Sequence, residues 1–145
     1  MNLDVLMSIY KNDARIFTIA DRIVLSKPQH IFCKDLQGSA PAFIISGIFS
    51  HPSCSQLNHL VITEDAESAA YLQNTLENLT NALDLFYFPS SFKNRKNFSL
   101  LNSSHVMLRT ESLMRWAAGG NKKLMVSYPE ALFEKVVLPG TLSNN

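Results

Sequence analysis

The stretch LQGSAPAFIISGIF, Leu36 to Phe49, decides how this chain is read. It follows the extended-looking run HIFCKD and opens into residues that are apolar on nearly every side. A strand, a Gly-Ser turn and a buried helix in that order are where a nucleotide-binding domain carries its phosphate loop. Ser39 is placed to cap the helix and Pro41 falls in its first turn, where a missing N–H costs little. A working loop reads G-x-x-x-x-G-K-[ST]. Aligned on Gly38, this segment has Asp35 for the first glycine, Ala40 for the second, Pro41 for the lysine and Ala42 for the hydroxyl residue.

Each exchange removes a physical part. A lysine about 4 Å from a phosphate oxygen, at an effective dielectric near 20, is worth roughly 4 kcal/mol. Its loss weakens binding by about three orders of magnitude. Pro41 also deletes an amide from the anion nest, Ala42 offers no oxygen to magnesium, and Asp35 places a negative charge where phosphates would sit. Asp35, Gly38, Ser39, Ala40, Pro41 and Ala42 therefore read as a degenerate phosphate loop that does not bind. An ordinary strand-to-helix turn that never held phosphate fits the same residues.

Outward from this stretch, helix and strand patterns alternate. LDVLMSIY and ARIFTIADRIVL repeat apolar residues at helical spacing, with Asp13 as a cap for the second. HIFCKDL reads as the first strand, with Cys33 buried on it. LNHLVIT is the second strand. Thr63 is expected to cap the next helix, whose Ala69, Leu72, Leu76 and Leu79 share one face. LDLFYF is the third strand, closed by Pro89. After the polar loop SSFKNRKNFSLLN, a helix capped by Ser103 or Ser104 turns Val106, Thr110, Leu113 and Ala117 inward. It ends at Gly119-Gly120. KLMVSY is the fourth strand and PEALFEKV a short helix. Alternating strands and helices imply a parallel sheet, and strands apolar on both sides imply helices on both faces. The expected fold is α/β: a three-layer α/β/α sandwich with a mostly parallel sheet of about four strands. The expected domains are N-terminal helices over 1–28, the sandwich over 29–138, and a tail or linker over 139–145.

Composition narrows the function classes. The chain has 145 residues, 46% of them hydrophobic and 17% charged, with formal net charge +1, so no global field recruits nucleic acid or membrane. Two cysteines and four scattered histidines give no metal-ligand spacing and no disulfide framework. No catalytic residue, metal or cofactor is expected, and a cytoplasmic location is. Lys93, Arg95 and Lys96, interleaved with Phe92 and Phe98, could contact a nucleic-acid strand through phosphate pairing and stacking; a solvated loop anchored by its phenylalanines is the plainer reading. Glu64-Asp65 could hold magnesium, but acids at a helix N-terminus have a simpler explanation in the helix dipole. Met114 and Trp116 read as packing residues, and Arg109 and Arg115 as solvent-facing.

LQGSAPAFIISGIF, HLVITEDAESAAYLQNTLENL, LFYFPSSF and KLMVSYPEALFEKV, taken in order, resemble the N-terminal segment of the bacterial transcription-repair coupling factors (Mfd). That segment is itself similar to the first domain of the excision-repair subunit UvrB. The resemblance runs from about Ile31 to Val137. It implies a helicase-like, P-loop NTPase fold with a lost nucleotide motif; the short loop after FPS departs from the long damage-probing hairpin of UvrB and counts against lesion probing. It implies no catalysis by this segment, within a longer ATP-dependent DNA translocase that releases stalled RNA polymerase and recruits UvrA. The implied partners are the remaining domains of that protein and, through them, UvrA, RNA polymerase and DNA. The alternative is a stand-alone α/β nucleotide- or nucleic-acid-binding domain.

Overall fold

A computed structural model describes residues 2–80, 84–92, 100–120 and 122–136. The chain is α/β. Helices α1 (Leu3–Lys11), α2 (Ala14–Ile23) and α3 (Ala40–Ser50) come first, then a 3-10 turn at Pro52–Cys54. Strand β1 (His59–Ile62), helix α4 (Ala66–Leu79), strand β2 (Leu85–Tyr87), helix α5 (Ser103–Ala117), strand β3 (Leu124–Ser127) and helix α6 (Pro129–Leu132) follow. The three strands are parallel in the order β1-β3-β2.

Strand β3 is central and buried at all four residues. A parallel strand flanked on both edges must find apolar cover above and below. Register supplies it. Leu60, Met125 and Phe86 share one face of the sheet, while His59, Leu124 and Leu85 share the other. Phe49 of α3 meets His59 edge-on with ring centroids 5.3 Å apart. On the opposite face, α5 lays Arg115 over the Phe86 ring at 4.6 Å. Helix α4 presents Ala69, Leu72, Leu76 and Leu79 to the core, as its spacing predicts. The buried Ser46 hydroxyl donates to the Leu79 carbonyl and ties α3 to the end of α4. Helices α1 and α2 pack on α3, with Tyr10 stacked on Phe43.

Several expectations are corrected. The segment His30–Leu36 is not a strand, so the described sheet has three strands where about four were expected. Phe32 is 85% exposed and Cys33 is exposed, not buried. The run ends at Asp35, whose φ of +60° breaks an extended path. Ser39 occupies the N-cap position of α3 but makes no side-chain cap bond. The cap of α4 is Asp65, not Thr63; its carboxylate accepts from the Ser68 N–H at 2.8 Å. Thr63 instead follows β1 in the sheet, its N–H donating to the Ser127 carbonyl. Asn102, not Ser103 or Ser104, caps α5. The inner face of α5 carries His105, Arg109, Ser112, Leu113 and Trp116, while Val106, Thr110 and Ala117 face out. Nor is the sheet covered on both sides throughout: Leu60 and Ile62 of β1 are 47% and 56% exposed.

This asymmetry sets a stability contrast. Leu76 is fully buried, so Leu76→Ala should cost about 3 kcal/mol in urea unfolding. Leu60→Ala should change stability by no more than about 0.5 kcal/mol.

Candidate functional site

In a parallel sheet, ligands gather beyond the carboxyl ends of the strands. The structure places two features of interest in the body of the chain: the turn that opens α3, and a polar cluster after β2 and β3.

The turn is closed on itself. The Ala40 N–H donates to the Gln37 carbonyl at 3.1 Å, and the Ala42 and Phe43 N–H groups both donate to the Ser39 carbonyl. Pro41 has no N–H to offer. Asp35 and Gly38 both take left-handed backbone angles, +60° and +57° in φ. Nothing lies within 4 Å of where a Gly38 Cβ would stand, so the glycine serves the turn and not a close approach. In front of the turn lies a cleft of about 540 Å³ between α2 and the 31–36 segment. Its lining includes Ile16, Ile19, Phe32 and Ile44, with Arg15, Arg22, Lys34 and Asp35 among the charged groups. Arg15 is already engaged by the Asp13 carboxylate at 2.7 Å. The Arg15 hydrogen bonds pull the Asp13 pKa down to about 2.

The second feature was missed by apolar periodicity. Arg109 is only 5% exposed, against the expectation that it faces solvent. Its Nη1 donates to the carbonyls of Pro89 at 2.8 Å and Ala131 at 2.9 Å. Its guanidinium lies 4.1 Å from the centre of the Phe88 ring. Its Nε faces the Glu134 carboxylate at 3.5 Å. That carboxylate also accepts from the Ser90 hydroxyl at 2.9 Å, the Ser91 N–H at 3.0 Å and the Ser91 hydroxyl. Burial alone would raise the Glu134 pKa; the Ser91 and Ser90 bonds and the Arg109 charge outweigh it and hold the group below the usual range. The Ser90 N–H donates to the Tyr128 phenol oxygen at 2.8 Å, and His105 Nδ1 meets the Ser90 carbonyl at 2.9 Å. One cation and one anion thus join the turn after β2, helix α6 and the residues just beyond it. The sequence signal was there: His105, Arg109 and Ser112 recur at steps of four and three, a polar stripe on one helix face.

The remaining sequence candidates fall as follows. Lys93, Arg95 and Lys96 lie outside the described residues, as does Phe98. Glu64 and Asp65 serve the start of α4, both within hydrogen-bond reach of Ser68. Among the described residues no group of three potential ligands could hold a metal. Trp116 packs against the core, whereas Met114 is half exposed. No helix among the described residues is long and apolar enough to cross a membrane. No family model, curated protein or solved structure matches this chain.

Two measurements follow from these contacts. Arg109→Gln strips the charge from the cluster and leaves Glu134 without its cation, so stability should fall by about 3 kcal/mol on denaturant unfolding. His59 has its pKa lowered from 6.5 by burial and then by Lys122. The folded state therefore holds the neutral ring, and the unfolded chain binds the proton more tightly. Stability from this residue is full above pH 6.5 and is lost as pH falls through 6.5 toward the folded value. His59→Phe keeps a ring against Phe49, and in thermal melts it should flatten the stability profile just below pH 6.5.

Proposed function

We propose that this chain is a non-catalytic scaffold and interaction module, the N-terminal UvrB-like segment of a bacterial transcription-repair coupling factor. Its fold is helicase-like and its phosphate loop no longer grips nucleotide. The observation that carries the reading is the state of the α3 turn. The amides of Ala40, Ala42 and Phe43 are bonded within the turn, Pro41 lacks one, and Asp35 adds a negative charge. A triphosphate needs outward-pointing N–H groups and a cation. The parallel α/β sheet and the ordered motifs from Leu36 to Val136 support the same reading. The longer protein supplies ATP-driven movement on DNA, release of stalled RNA polymerase and recruitment of UvrA, all in the cytoplasm.

A second reading has one observation in its favour. The cleft beside the turn has basic residues in its lining, which suits a stand-alone nucleotide- or nucleic-acid-binding domain. Calorimetric titration with ATP and magnesium separates the two. The scaffold reading expects no saturable heat in the micromolar range, and micromolar binding would favour the rival. The full-length polypeptide that carries this segment should displace a stalled RNA polymerase only when ATP is present. Polymerase that stays bound under those conditions rules out the coupling-factor assignment.

A further inference from the structure

The Glu134 carboxylate lies among donors that suit an anion in general. Two hydroxyls, one backbone N–H and a buried guanidinium converge on it. Neutral donors backed by a fixed cation are the chemistry by which proteins hold carboxylates and phosphates. The planar carboxylate does not use all of it. Arg109 Nη2 is buried and has no partner. Nη2 and Nε share one edge of the guanidinium plane, and Nε lies 3.5 Å from the Glu134 carboxylate. A carboxylate has two oxygens, and both are engaged by the serines. A tetrahedral phosphate carries further oxygens that can extend to Nη2.

Glu134 is also placed to leave. Its side chain is 15% exposed, so the cradle reaches the surface where this residue enters. Phe133 is 90% exposed, and Lys135 and Val136 are exposed too. Among the described residues that follow α6, 133–136, Glu134 is the one whose side chain reaches into the cradle. Withdrawing one carboxylate frees them without opening the core.

We propose that Ser90, Ser91 and Arg109 form a phosphate-binding site whose resident occupant is the chain's own Glu134, and that a phosphate group, free or as a monoester, exchanges with that carboxylate. The exchange would couple anion binding to release of residues 133–136. This inference does not depend on the coupling-factor reading.

Thermal melts of the Glu134→Ala chain, at constant ionic strength, test it. Inorganic phosphate should raise the melting temperature with the logarithm of its concentration, by roughly 4 °C at ten times its dissociation constant. Acetate should do so less, since it lacks the oxygens for Nη2, and chloride not at all. Phenyl phosphate in place of inorganic phosphate separates the sources: an equal response assigns the site to the phosphate group, and a response to inorganic phosphate alone assigns it to the free anion. Adding Ser91→Ala should raise the phosphate concentration needed for the same shift about tenfold, the loss expected for one hydrogen bond to a charged group. If Glu134→Ala does not fold, Glu134→Gln, which keeps the volume and one acceptor oxygen, takes the same titration. A melting temperature that ignores phosphate, or follows chloride equally, overturns the proposal. So does failure of both variants to fold with phosphate present, because the anion has then not replaced the carboxylate.

Discussion

A guanidinium almost wholly removed from water is the constraint around which the carboxyl end of this sheet is built. Arginine cannot shed its proton to escape burial. Its charge must therefore be met where it lies. Arg109 is met on several sides, by two main-chain carbonyls, the face of Phe88 and the Glu134 carboxylate. The partners come from two parts of the chain, residues 88–89 after β2 and residues 131–134 in and after α6, so satisfying one side chain ties both to α5. An ion pair of this kind contributes little net stability against an apolar substitute, because desolvation offsets most of the attraction. Its contribution is positional: Arg109 sits between the Pro89 and Ala131 carbonyls and pins α5 to both.

The same contact explains what the sequence revealed and what it hid. Helix α4 was legible because its inner face is purely apolar, and Ala69, Leu72, Leu76 and Leu79 mark it without interruption. Strand β3 was legible for the same reason. Helix α5 was misread by a rotation of its face, since a search for apolar spacing discards the very residues that turn inward. Burial of His105, Arg109 and Ser112 is repaid by hydrogen bonds that periodicity does not see. Caps were misplaced by one or two positions for a related reason: Thr63, Asp65, Asn102 and Ser103 all carry capping chemistry, and local backbone geometry chooses among them.

HIFCKDL was misread in the opposite direction. Its composition favours an extended chain, but a strand exists only beside a partner. The segment lies along the cleft formed with α2, Phe32 points to solvent, and Asp35 turns the backbone left-handed before any pairing can extend. What the turn lacks was legible at the level of residue chemistry: Asp35, Ala40, Pro41 and Ala42 supply neither a cation nor a hydroxyl. That the α3 amides are spent within the turn required coordinates, because nothing in the residue types says where Gln37 and Ser39 direct their carbonyls.

The α3 turn follows no strand, yet it and the cluster after β2 both spend their donors within the chain. Beyond the carboxyl ends of parallel strands, amides and side-chain donors tend to be left over, and that surplus is why such sheets so often bind ligands. Here the surplus is consumed from within. At α3 the main chain folds its own carbonyls onto the amides; after β2 a glutamate brings its own carboxylate to the serines and the arginine. The two solutions differ in how readily they reverse. Main-chain bonds inside a turn break only if the turn unfolds. A glutamate on the largely exposed residues 133–136 can give way to another anion that meets the same charge, since Pro89 and Ala131 still hold Arg109 in place. Of the two, only the serine-arginine cradle retains the means to exchange its occupant.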